Sequence, residues 1–239
     1  GFRFELDKVH HRPGADVSAV YRICYDLPSA EAPTEEWLGL TSAHVTEGVA
    51  TLVHNDLVLR VWRHPADPRL PGLVSACNAD VVGGWLGAPV ELETLAYRPL
   101  RRAVLAARGS RPGFIKVLRP DKAPGLAHRQ RLLHAAGVCP GVIGEPEPGV
   151  VISAVAEGNS LAQALVAWPD DPTQLPPPQS LVALLDALPA EAVRLHRRGS
   201  WSDRIDFHAD GAIAALPELR DEIVGVREEL KRLLIAAPV

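Results

Sequence analysis

"GFIKVLRP", residues 113–120, decides how this chain is read. Phe114, Ile115, Val117 and Leu118 have the apolar density of a short buried strand, and Lys116 stands among them. Such a lysine can lay its stem along the sheet and lift its ammonium into water. Alternatively, the strand holds a cation where a ligand needs one. The neighbouring segments separate these readings.

Downstream, "GLAHRQRLLHAAG" predicts a helix with Leu126, Leu132, Leu133 and Ala136 on one face and Gly137 as its stop. "GVVISAV" predicts another strand. Beyond it the pattern is helical: "SLAQALVAW", "SLVALLDALPAEAVRLHRR", "SWSDRIDFHADGAIAAL" and "PELRDEIVGVREELKRLLIAA", with Pro217 suited to the first turn of the last. The proline-rich run "PDDPTQLPPPQS", residues 169–180, reads as a stiff connector or surface loop.

Upstream, the chain is strand-like. "DVSAVYRICYDL" alternates, with Val17, Ala19, Tyr21, Ile23 and Tyr25 on one face. "WLGLTSAHV" follows, then "VATLVHNDLVLRVWRH", broken at His54-Asn55-Asp56 as a hairpin would be. "ELETLAYRPLRRAVLAARG" predicts a strand pair turning near Pro99. Strands, a helix, a strand, then helices only make an α+β protein with a sheet-rich lobe and a helical lobe.

The bulk composition suits that class. With 239 residues and 47% hydrophobic content, the chain can bury a sizeable core. A net charge of -4 argues against a general nucleic-acid binder. No apolar run approaches the ~18 residues of a membrane span. The segment "GFRFELDKVHHR" lacks the apolar centre of a signal peptide. Cys24, Cys77 and Cys139 have no metal-like spacing and read as reduced thiols of a cytoplasmic protein. The abundance of Ala, Arg, Val and Pro suggests a GC-rich bacterial gene.

The sequence also echoes itself. "HHRPGADVSAVYR" resembles "AYRPLRRAVLAAR", and "LVLRVWRHPADPRLPGL" resembles "FIKVLRPDKAPGL", which aligns Arg60 with Lys116. The matches are short and the gaps between them differ, so they read either as a degenerate duplication of a strand-rich unit or as coincidence.

"YRPLRRAVL" (97–105), "FIKVLRP" (114–120), "HRQRLLHAAGVCP" (128–140), "VVISAVAEGNSL" (150–161) and "LPAEAVRLHRRGSWSDR" (188–204) occur in an order that resembles the aminoglycoside phosphotransferase family. The resemblance is strongest to its maltokinase-like branch of small-molecule kinases. It implies a protein-kinase-like fold: a strand-rich N-terminal domain (1–88), an N-lobe (89–156) and the first helices of a C-lobe (157–239). It further implies ATP and Mg2+ as cofactors and a small-molecule hydroxyl, of a sugar or aminoglycoside, as acceptor. The turn carrying Arg98, Arg101 and Arg102 would cover the phosphates, and Lys116 would hold them. Ser153, Ala154 and Val155 would form the hinge that bonds adenine, with Ile152 behind the base.

Two departures accompany the resemblance. The helix of residues 126–136 carries no acid, and His128 or Gln130 stands where an orienting glutamate is expected. The family's catalytic loop and metal-binding aspartate are expected after Val239, so the catalytic residues and magnesium ligands would lie there. Without them these residues would transfer no phosphate. A pseudokinase-like, non-catalytic nucleotide-binding scaffold is therefore the alternative, and an unrelated α+β binding protein is a third.

Three motifs are set aside. "HND" at 54–56 reads as a hairpin turn, and "DFH" at 206–208 as helix with Phe207 packed in a core. Gly83-Gly84 lacks the lysine of a phosphate loop.

Overall fold

The computed structural model describes residues 2–11, 16–26, 34–158, 160–168, 171, 173, 175–195 and 199–236. Two five-stranded antiparallel sheets and a set of helices make a mixed α+β architecture. The chain divides into two compact units, Gly1–Arg63 with His196–Val239, and His64–Leu195.

In the first unit the sheet contains β1 (Phe2–His10), β2 (Ser18–Tyr25), β3 (Thr34–Thr41), β4 (Ala50–His54) and β5 (Leu57–Arg63), in the order β1-β2-β3-β5-β4. Asn55 turns the β4–β5 hairpin with φ 51°, so "HND" is a turn as expected. Val20 and Ile23 are the buried residues of β2, and they have opposite parity. The predicted single apolar face of that strand is therefore replaced by partial cover on both faces.

The second unit begins with α1 (Leu73–Ala76) and α2 (Ala79–Leu86), which the strand-like reading of the first half missed. Asn78 caps α2 through its side chain, which accepts from the Asp80 and Val81 N–H groups. Gly83 and Gly84 lie within this helix. Its sheet contains β6 (Val90–Arg98), β7 (Arg102–Gly109), β8 (Gly113–Leu118), β9 (Val142–Gly144) and β10 (Val150–Ser153), in the order β6-β7-β8-β10-β9. Helix α3 (Ala123–Ala135) connects β8 to β9. Gly137 ends it as predicted, with φ 73°, donating to His134 O while Val138 N–H donates to Leu133 O.

Leu70, Leu73, Val82 and Leu86 pack on Leu105, Ile115, Val117, Val150 and Ile152 to make the core of this unit. Each Leu or Ile buried there contributes about 1.5–3 kcal/mol. Residues 64–88, grouped by sequence with the first strands, thus form one face of the second sheet's core. Their apolar side chains find their partners on β7, β8 and β10.

The helical tail contains α4 (Leu161–Ala167), α5 (Pro178–Asp186), α6 (Ile205–Ala215) and α7 (Arg220–Ala236). Ser160 and Gln163 cap α4 reciprocally. Pro217 lies in a short 3-10 turn ahead of α7 rather than inside its first turn. Within α6, Phe207 is 54% exposed, below the Arg204 guanidinium and edge-on to His208, so its expected core role is not what it does. The connector residues Pro169, Asp170, Pro172 and Gln174, and Arg12-Pro13 of the internal echo, lie outside the described residues.

Candidate functional site

Strand β8 separates its side chains by parity. Gly113, Ile115 and Val117 are buried toward α1 and α2, while Phe114, Lys116 and Leu118 point to the other face and are half-buried. Lys116 faces Val104 on β7 and Val151 on β10. This is the face that α3 covers, through Ala123, Ala127 and Leu126 against Val151 and Leu118.

The same register places two arginines beside the lysine. Arg102 pairs with Leu118 on β8 and with Arg98 on β6, so Arg98, Arg102, Leu118 and Lys116 share one face. Arg102 is the diagonal neighbour of Lys116, within reach of long side chains. Arg98 and Arg102 stand directly opposite each other, an arrangement that like charges disfavour. Among the described residues, neither Arg102 nor Lys116 forms an ion pair. Asp121 is engaged with Lys122, and Glu145 with Arg131. Arg101 is exposed at the turn itself.

That turn is held from below by a residue the sequence reading overlooked. Asp67 is 3% exposed, and its Oδ2 accepts from the Tyr97 hydroxyl at 2.7 Å and from Leu100 N–H at 2.8 Å. Its Oδ1 accepts from Arg69 N–H at 2.9 Å. Arg101 N–H donates to Arg98 O at 3.1 Å. Leu100 has φ 61°, a left-handed backbone where glycine is the usual occupant after proline. The sequence signal for Asp67 was "ADPR", an Asp-Pro turn start, but its long-range partners carry no local mark.

The predicted adenine hinge is only partly available. Ser153 is buried at the end of β10, and its hydroxyl donates to Phe114 O at 3.4 Å. Ala154 N–H already donates to Gly141 O at 2.9 Å, while Val155 is exposed. Ile152 is 1% exposed and belongs to the core on the opposite face from Lys116. It therefore cannot back a base on the lysine face; Val151 and Ser153 have the right parity.

The two candidates for the orienting group on α3 are also separated. His128 is exposed, whereas Gln130 is 8% exposed. Gln130 Nε2 donates to Pro140 O at 3.0 Å, and its Oε1 is buried without a hydrogen-bond partner.

A Cys–His pair lies in the same unit. Cys77 Sγ is 3.9 Å from His64 Nε2, and the His64 ring packs at a tilt against Tyr97, with centroids 4.8 Å apart and an interplanar angle of 55°. Burial pushes the Cys77 thiol up to about 11 and pulls His64 below its ordinary value, partly opposed by Asp67. Both groups are held neutral, so this is not the thiolate–imidazolium pair of a nucleophile.

A recess of about 390 Å³ between α2 and β6, lined by Ala79, Asp80, Gly83, Pro89 and Val90, touches none of the candidate residues. Among the described residues, no group of three or more His, Cys, Asp or Glu is placed to hold a metal ion. No helix among them is long and apolar enough to cross a membrane. Compared with family models, with curated proteins and with solved structures, the chain matches none.

Proposed function

We propose that the Lys116 face binds the phosphates of ATP, and that the chain is the nucleotide-binding part of a phosphotransferase acting on a small-molecule hydroxyl. The observation that carries this reading is the register that brings Arg98, Arg102 and Lys116 to one sheet face. Arg102 and Lys116, without ion pairs among the described residues, repel each other, and a polyphosphate relieves that repulsion while accepting charge-assisted hydrogen bonds. The placement also agrees with a protein-kinase-like N-lobe, in which the lysine stands on the third strand of the sheet and a helix follows.

The described residues fit the phosphates better than they fit the metal. Magnesium seeks carboxylate oxygens, and this face presents cations, so no step is assigned to magnesium here. Lys116 would act as a point charge on the phosphates, and Arg102 as a planar fork gripping two oxygens.

A non-catalytic nucleotide-binding scaffold is the second reading. The acid-free helix α3 favours it, because that helix has no carboxylate with which to pair Lys116.

Calorimetric titration with ATP tests the phosphate site. Lys116→Ala is expected to weaken ATP binding by about tenfold or more, the loss of one charge-assisted contact. Equal affinity in the variant and the unmodified chain would sink the assignment. Transfer of labelled γ-phosphate to a panel of sugars and aminoglycosides then separates the enzyme from the scaffold, which binds without turnover.

A further inference from the structure

We infer that Asp67 is a positioning residue that clamps the 97–101 turn, so that this turn meets phosphate with side chains and not with main-chain N–H groups. The inference rests on the nucleotide reading above and specifies how the site would work.

The turn's main-chain donors are already committed. Pro99 has none, Leu100 N–H is taken by Asp67 Oδ2, and Arg101 N–H is taken by Arg98 O. A glycine-rich loop wraps phosphate with free amides; this turn has no such amides to give. It offers the exposed guanidinium group of Arg101 at the turn and that of Arg102, which the register makes a neighbour of Lys116.

Guanidinium recognition demands a fixed backbone beneath it, since a loose turn would scatter the two forks. The structure supplies that fixity in three ways. Asp67 is itself pinned by its turn, where Asp67 N–H donates to Pro65 O and Arg69 N–H returns to Oδ1. Its Oδ2 then reaches across 33 positions to Leu100 and 30 to Tyr97. Pro99 and Leu100 are buried beneath the sheet end, Leu100 at 6% exposure in a left-handed conformation that L side chains resist. A non-glycine residue held so, with a buried carboxylate on its N–H, marks a turn whose shape is maintained at a cost.

A carboxylate near a phosphate site would ordinarily repel the ligand. Asp67 is buried and has its oxygens engaged by three donors, so its charge is locally compensated while its geometry is transmitted.

The test compares ATP with adenosine in calorimetric titrations of the full chain, for the unmodified protein, Asp67→Asn, Tyr97→Phe and Lys116→Ala. Asp67→Asn is expected to weaken ATP about tenfold while leaving adenosine unchanged, because only the phosphate contacts depend on the turn. Faster amide exchange at Leu100 should accompany the loss. Tyr97→Phe keeps the ring and the Leu100 bond, and should shift the same ratio less; it carries the test if Asp67→Asn does not fold. ATP binding that falls in Lys116→Ala but is untouched in Asp67→Asn and Tyr97→Phe would overturn the clamp alone. So would equal losses for ATP and adenosine in those two variants. Absence of ATP binding in the unmodified chain would overturn the nucleotide reading and the clamp with it.

Discussion

His64 shows how one buried side chain links this fold to pH. Its ring packs at a tilt against Tyr97, and burial holds its proton affinity below the ordinary value of 6.5, with Asp67 pulling the other way. The unfolded chain therefore takes up a proton near pH 6.5, whereas the folded chain takes it up only at lower pH. In that window the unfolded state binds more protons, so His64 lowers stability as pH falls from neutrality. Urea midpoints at pH 7 and pH 5 should differ less in His64→Gln than in the unmodified protein; an unchanged difference would remove His64 from the account. At this scale the sequence was legible where parity rules. Lys116 could be placed on a strand from its neighbours alone. Ile152, expected behind the base, turns out to face the core opposite Lys116, because the face is fixed by pairing across strands, which no local pattern records.

Elements were legible where their periodicity was long or their ends were marked. Helix α3 was found from its repeats and from Gly137, and the β6–β7 turn from Pro99. Helices α1 and α2 were missed because they are short, four and eight residues, and α2 carries two interior glycines. Strand β9 has three residues and lies among prolines. Two glycines now separate by their surroundings. Gly149 sits at φ 90°, where an added Cβ would come 2.5 Å from Leu118 O at the β8–β10 junction. Gly149→Ala is expected to destabilise by about 1–3 kcal/mol. Gly125 lies inside α3 with nothing within 4 Å of an added Cβ, so Gly125→Ala is expected to stabilise by about 0.5–1 kcal/mol. Chemical denaturation of both variants should give shifts of opposite sign.

Across the molecule the two sheets share a strand order but not a core. Large fully buried side chains, among them Leu70, Leu73, Leu105, Ile115 and Ile152, concentrate in the second unit. The first sheet keeps fewer, with Val20, Ile23 and Trp62 the larger ones, while all but one residue of β1 is exposed. Native-state hydrogen exchange should therefore find β1–β5 opening at lower free energy than β7, β8 and β10; the reverse order would contradict this distribution of burial. The common order, first-second-third-fifth-fourth, gives the sequence echo a structural counterpart. It also limits that echo: Arg60 is on the fifth strand of its sheet and Lys116 on the third, so the two are not equivalent. Among the described residues, a helix follows the third strand only in the second sheet. Strand β1 carries a further consequence. It is an outer strand whose sequence "FRFELDKVH" sets Phe2, Phe4 and Leu6 against Arg3, Glu5 and Asp7, residue by residue. An outer strand with bare main-chain donors and acceptors invites a second chain to add on, and alternating charge is what makes such stacking costly. Those charged side chains are expected to oppose self-association at this edge, and to oppose it less where salt screens them.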